Sequence, residues 1–132
     1  DLRRAMTRAQ LEQSIYEKYR RGEFLTPLEA QSLLPTRAEF VCLWRYLKRQ
    51  CSGQPILRDT VPRIARGAAR SGGQPELPTH TLVCLEVMEE RGLLTLVRQS
   101  GQLEITLHQL EHKVDLDASE ILKRLRKAIQ KD

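Results

Sequence analysis

Leu94-Thr95-Leu96-Val97-Arg98-Gln99-Ser100-Gly101-Gln102-Leu103-Glu104-Ile105-Thr106-Leu107 holds two apolar runs around a polar turn that contains glycine. In the second run Leu103, Ile105 and Leu107 alternate with Glu104 and Thr106, the period-2 pattern of a half-buried strand. Two such runs joined by Gln99-Ser100-Gly101-Gln102 predict a β-hairpin. This hairpin decides the fold, because almost everything before it reads as helix.

Working back from it, a helix runs from about Thr79 to Arg91, with Leu82, Leu85 and Met88 apolar and Gly92 as its stop. Ser71-Gly72-Gly73-Gln74-Pro75 is a loop by composition. Before the loop, Val61, Ile64, Ala65 and Ala68 follow the spacing of a buried helix face, with Asp59 as the expected cap and Pro62 tolerated in the first turn. Pro55-Ile56-Leu57 is a very short strand after the break at Ser52-Gly53. Thr36-Arg37-Ala38-Glu39 is a capping box. It opens a helix whose stripe of Phe40, Leu43, Trp44 and Leu47 places Trp44 in the core, with Arg45, Lys48 and Arg49 on the other side. From residue 36 to 107 the order is helix, short strand, helix, helix, hairpin, which is that of a winged helix.

The flanks are helical too. Thr7 with Gln10 resembles a second capping box, followed by Leu11, Ile15 and Tyr19. A short helix from Thr26-Pro27 would use Leu28, Leu33 and Leu34 as its apolar side and end at Pro35. Asp117-Ala118-Ser119-Glu120 opens a last helix with Ile121, Leu125 and Ala128 or Ile129 on one face. The expected fold is mostly α with a small β-hairpin. A winged-helix-like domain over 35–108 has a helical lead-in over 1–34 and a basic C-terminal helix over 109–132.

Aromatic residues make up only 5% of the 132, so the core is expected to be aliphatic. Nowhere is there the run of roughly 18 apolar residues that a membrane span requires. The first ten residues are charged and helix-like, unlike a secretory signal, and the start at Asp1 reads as a piece of a longer protein. Cys42, Cys51 and Cys84 contain no C-x-x-C pair, and on a helix Cys42 and Cys51 would face opposite ways. Free thiols in a reducing cytoplasm are the expectation.

Charge is concentrated rather than spread. The net charge is +5. Residues 36–75 hold eight basic and two acidic side chains, whereas residues 76–112 hold two basic and six acidic. Arg63, Arg66 and Arg70 fall within about 60° of one another on their helix, and Arg58 sits just before the cap. They form a guanidinium stripe suited to phosphates, unless it is only a solvated face that pairs with the acidic helix beside it. Lys123, Arg124 and Lys127, with Arg126, make a second basic face, although a helix C-terminus favours such residues anyway. On the helix over 79–91, Glu86, Glu89 and Glu90 are expected to be exposed, and carboxylates there oppose reading of a DNA major groove. Tyr16, Tyr19, Trp44 and Tyr46 are too few to interleave with the basic residues as base-stacking platforms. His108 and His112 with Glu111 have metal-like spacing if helical, but no evident third ligand is near. No nucleophile elbow, glycine-rich phosphate loop or Asp/His cluster offers a catalytic residue.

Three stretches together resemble a known family. Pro35-Thr36-Arg37-x-x-Phe40 with Trp44-Arg45-Tyr46-Leu47 resembles the opening of the C-terminal extension of some bacterial RecJ single-stranded-DNA exonucleases. Leu85-Glu86-Val87-Met88-Glu89-Glu90-Arg91-Gly92-Leu93-Leu94 resembles that extension's helix, and Lys113-Val114-Asp115-Leu116-x-x-Ser119 its tail. The resemblance implies an accessory domain of a cytoplasmic 5′–3′ exonuclease of DNA repair and recombination. The parent's Asp-His-His core uses manganese or magnesium, and that motif does not occur here. The implied partners are single-stranded DNA, the parent's catalytic core or a repair protein, with no membrane and no small-molecule substrate. The alternatives are a winged-helix protein-interaction module that does not bind DNA and, more remotely, a regulator that binds double-stranded DNA.

Overall fold

A computed structural model describes residues 7–21, 23, 25–54 and 56–108. Within them five helices and three strands occur in the order α1 (Arg8–Arg20), α2 (Pro27–Ser32), α3 (Arg37–Gln50), β1 (Ile56–Asp59), α4 (Val61–Gly72), α5 (Pro78–Glu90), β2 (Leu94–Gln99) and β3 (Gln102–Leu107). The protein is mostly helical with a small antiparallel sheet. The sheet has three strands rather than the two of a bare hairpin. Its order is β1-β3-β2, with Ile56 opposite Thr106 and Leu94 opposite Leu107. Being central, β3 buries Leu103, Ile105 and Leu107, so it carries the clearest alternation in the chain. The turn between β2 and β3 places Ser100 at φ 41° and Gly101 at φ 80°. Two successive positive φ values suit a two-residue hairpin loop, and glycine takes the second without a Cβ clash.

Both expected capping boxes form, Thr7 with Gln10 and Thr36 with Glu39. A third, Thr26 with Glu29, starts α2. The cap of α4 differs from the reading of the sequence. Thr60 accepts from the Arg63 amide at 3.4 Å, while Asp59 accepts from the Thr60 amide at 2.8 Å. Asp59 is still paired in β1, so the extended residue just before the helix is the one after it. Leu28 is 79% exposed because α2 is only six residues long, and its apolar anchors, Leu25 and Leu33, lie beyond its two ends.

One core runs through the described residues. Phe40, Leu43, Trp44 and Leu47 of α3 meet Ile64 and Ala68 of α4, Val83, Leu85 and Met88 of α5, and the inner face of the sheet. Ile15 and Tyr16 of α1 belong to the same core. Cys42, Cys51 and Cys84 are all buried free thiols. The helical phase that would turn Cys42 and Cys51 opposite ways does not apply to the pair, because α3 ends at Gln50. Cys42 faces Gly72 of α4, and Cys51, at the C-cap of α3, turns into the core.

α5 packs against α1, α3, α4 and β2, and every residue from Thr79 to Met88 is buried. The expectation that Glu86 is exposed on this helix is thereby overturned. α1 covers that side, and Glu86 accepts hydrogen bonds from the Tyr16 hydroxyl at 3.2 Å and Arg20 Nη1 at 2.6 Å. Glu89 and Glu90 do reach solvent, but Glu89 accepts from the Leu96 amide of β2 at 2.9 Å. Two of the three carboxylates thus hold the fold together rather than forming a solvated acidic face.

Candidate phosphate-binding groove

α4 has two faces of different chemistry. Ile64, Ala65, Ala68 and Ala69 are buried, whereas Arg63, Arg66 and Arg70 are exposed. Small alanines on the inner face let α4 lie close to α3 and α5, so the arginine face projects outward as a ridge. A groove of about 230 Å³ runs along it, lined by Tyr46, Asp59, Arg63, Arg66, Gly67 and Arg70. The structure thus brings together three of the expected phosphate-binding residues.

Arg58 is not among them. It lies opposite Glu104 in the β1–β3 register, and its Nη2 is 2.7 Å from Glu104 Oε1, so the cross-strand pair turns it onto the sheet. Lys123, Arg124 and Lys127 lie outside the described residues, as do Glu111 and His112. His108 lies 2.7 Å through Nε2 from the Thr95 hydroxyl, and no group of metal-ligating side chains occurs among the described residues.

The charges of the groove are partly compensated. Arg63 Nε is 3.6 Å from Asp59 and Arg66 Nε is 3.7 Å from Glu76, both long for a direct hydrogen bond. Arg70 has no carboxylate within ion-pair distance among the described residues. These guanidiniums remain largely hydrated and their pairs are worth little, which leaves them available to an anion. Next to the groove Arg49 donates to the Ser71 hydroxyl, which fixes another cation near the end of α4.

Tyr46 and Gly67 were not legible as site residues. Tyr46 comes from α3, and only the α3–α4 packing places it beside arginines seventeen to twenty-four positions further on. The available signal was Gly67, an isolated glycine inside a helix and between the arginines, a position that usually has a packing or functional reason. Burial and the nearby Asp59 charge push the Tyr46 phenol up from its ordinary pKa, against the smaller opposite effects of Arg49 and Arg63. It therefore stays protonated and able to donate at neutral pH.

A second polar cluster is internal. His80 of α5 donates through Nδ1 to Glu39 at 2.7 Å and through Nε2 to the Ser32 carbonyl at 3.0 Å, with Glu12 Oε1 3.4 Å away. Both ring nitrogens face acceptors, which is the environment of an imidazolium. Burial disfavours that charge, but Glu39, the Ser32 carbonyl and Glu12 outweigh it and raise the pKa. The cluster ties α1, α2, α3 and α5 together.

No protein-family model, curated protein or solved structure matches the chain. Among the described residues no helix is long and apolar enough to cross a membrane.

Proposed function

We propose that the protein is a winged-helix accessory domain that holds single-stranded DNA on the arginine face of α4, in the manner of the C-terminal extension of RecJ-like exonucleases. The groove lined by Arg63, Arg66 and Arg70 carries this reading. The element order α3-β1-α4-α5-β2-β3 and the pairing of β1 with β3 support the winged-helix part. In that architecture α5 would be the helix that enters a major groove. Here it is covered by α1 and buried from Thr79 to Met88. This disfavours the reading as a double-stranded regulator and leaves α4 as the phosphate-facing element. The work of the domain is to hold or steer a strand toward a catalytic core that brings its own manganese or magnesium.

The test is fluorescence anisotropy of a labelled oligothymidine over a salt series. Each lost phosphate contact flattens the salt slope for a single strand by roughly 0.7, so Arg63→Ala/Arg66→Ala/Arg70→Ala should flatten it by about two units. Sequence preference should not change, because phosphates carry no base identity. A triple variant that binds like the parent overturns the reading. No binding by the parent at low salt favours the protein-interaction alternative.

A further inference from the structure

Gly67 lies one turn from both Arg63 and Arg70, about 40° and 60° from them around the helix, so a side chain there would stand at the edge of the arginine stripe. The ring of Tyr46 occupies that place. A Cβ at position 67 would be 2.3 Å from Tyr46 Cε1, 2.5 Å from Cζ and 2.7 Å from the hydroxyl oxygen. No other residue lets the phenol come so close to the α4 backbone. The ring and Gly67 both line the groove together with the three arginines. Asp59 is the one carboxylate in the lining, and its Oδ1 is already engaged by the Thr60 amide. Counting Glu76 beside Arg66 as well, three guanidiniums against two carboxylates leave an excess of one positive charge around a neutral donor, which matches a phosphate group in sign and in hydrogen-bonding sense.

We infer that the groove is a discrete site for one phosphate group, in which the Tyr46 phenol donates to a phosphate oxygen while Arg63, Arg66 and Arg70 neutralise it. This deepens the reading of α4 as a phosphate-facing helix, but it is separable from the claim that the phosphate belongs to DNA. A diffuse cationic ridge would need neither the phenol nor the glycine. A built site needs both, because the phenol supplies a fixed donor that selects an oxyanion at one position. The ring's high pKa keeps that donor protonated across the physiological range.

The experiment titrates inorganic pyrophosphate into the full chain and follows backbone amide resonances by NMR, with labelled oligothymidine measured in parallel. Saturable shifts confined to residues 46, 63, 66, 67 and 70 are expected. Tyr46→Phe keeps the ring and its packing but removes one hydrogen bond to a charged group, so pyrophosphate affinity should fall about tenfold with the melting temperature unchanged. Gly67→Ala should displace the ring and weaken pyrophosphate at least as much. Shifts that spread over the basic surface without saturating would overturn the site, as would Tyr46→Phe binding pyrophosphate like the parent. If the arginine triple variant loses oligothymidine while Tyr46→Phe changes neither ligand, the site falls and the DNA reading stands. If pyrophosphate saturates the groove in a Tyr46-dependent way and oligothymidine does not bind, the site stands and the DNA reading falls.

Discussion

At Glu86 three donors from two elements converge: Tyr16 and Arg20 of α1 hydrogen-bond to it, and Arg98 of β2 lies 3.7 Å away. A buried carboxylate with several donors is costly to remove, because the donors lose their acceptor while some remain shielded from water. Arg20 and Arg98 are about half exposed and can recover hydration, whereas the Tyr16 hydroxyl cannot, which places the effect at the lower end of the range for buried pairs. Glu86→Ala should therefore destabilise the protein by about 1–3 kcal/mol in urea unfolding. Affinity for oligothymidine should not change, since Glu86 does not line the groove. A stable variant with tighter DNA binding would return Glu86 to the surface role that its place in the sequence suggests.

Among the elements, the contact of His80 on α5 with Glu39 on α3 gives a pH dependence whose sign follows from the two shifts. The pKa of His80 is raised above its ordinary 6.5, so its contribution is complete below 6.5 and is lost as pH rises through the folded value. For Glu39, burial raises the carboxyl, but the His80 hydrogen bond and the Thr36 amide outweigh it, and the pKa falls below its ordinary 4.5. Its contribution is complete above 4.5 and is lost as pH falls through the folded value. The pair stabilises the junction of helices most between pH 4.5 and 6.5. Thermal melts should show a decline in stability above pH 6.5, and His80→Gln should flatten the curve on that side. An unchanged profile in His80→Gln would mean that another group sets the pH dependence.

For the molecule as a whole, the lead-in over residues 1–34 and the body over residues 35–108 share one core. Ile15, Tyr16, Leu25 and Leu33 are buried in the same cluster as Val83 and Met88. Each such side chain contributes about 1.5–3 kcal/mol when fully buried. A chain beginning at Pro35 would lose four of them and expose Glu86 with its apolar surroundings. Its melting temperature should drop by at least about 10 °C relative to the full chain, and ellipticity and Trp44 fluorescence of the full chain should change together. Two separate transitions in the full chain would show that the lead-in folds by itself. The same packing separates the two central helices: α5 is enclosed by its neighbours, and α4 keeps one exposed face.

Local rules acting over three to eight residues were enough to make much of this readable from the chain. The capping boxes at Thr7 and Thr36, the core stripe with Trp44, the alternation of β3 and the arginines at 63, 66 and 70 each express a period or a hydrogen bond set by near neighbours. The helix order and the outward arginine face of α4 follow from them. What depended on distant pairing was decided only by the tertiary structure. β1 joined β3 across more than forty residues, and Arg58 left the stripe to meet Glu104. Glu86 went inward because α1, some seventy positions earlier, supplies its donors. Tyr46 reached the arginines because Gly67 removes the one Cβ that would have kept the ring away. A residue's helical phase says which face it occupies, whereas whether that face meets solvent or another helix is settled by which elements pack on it.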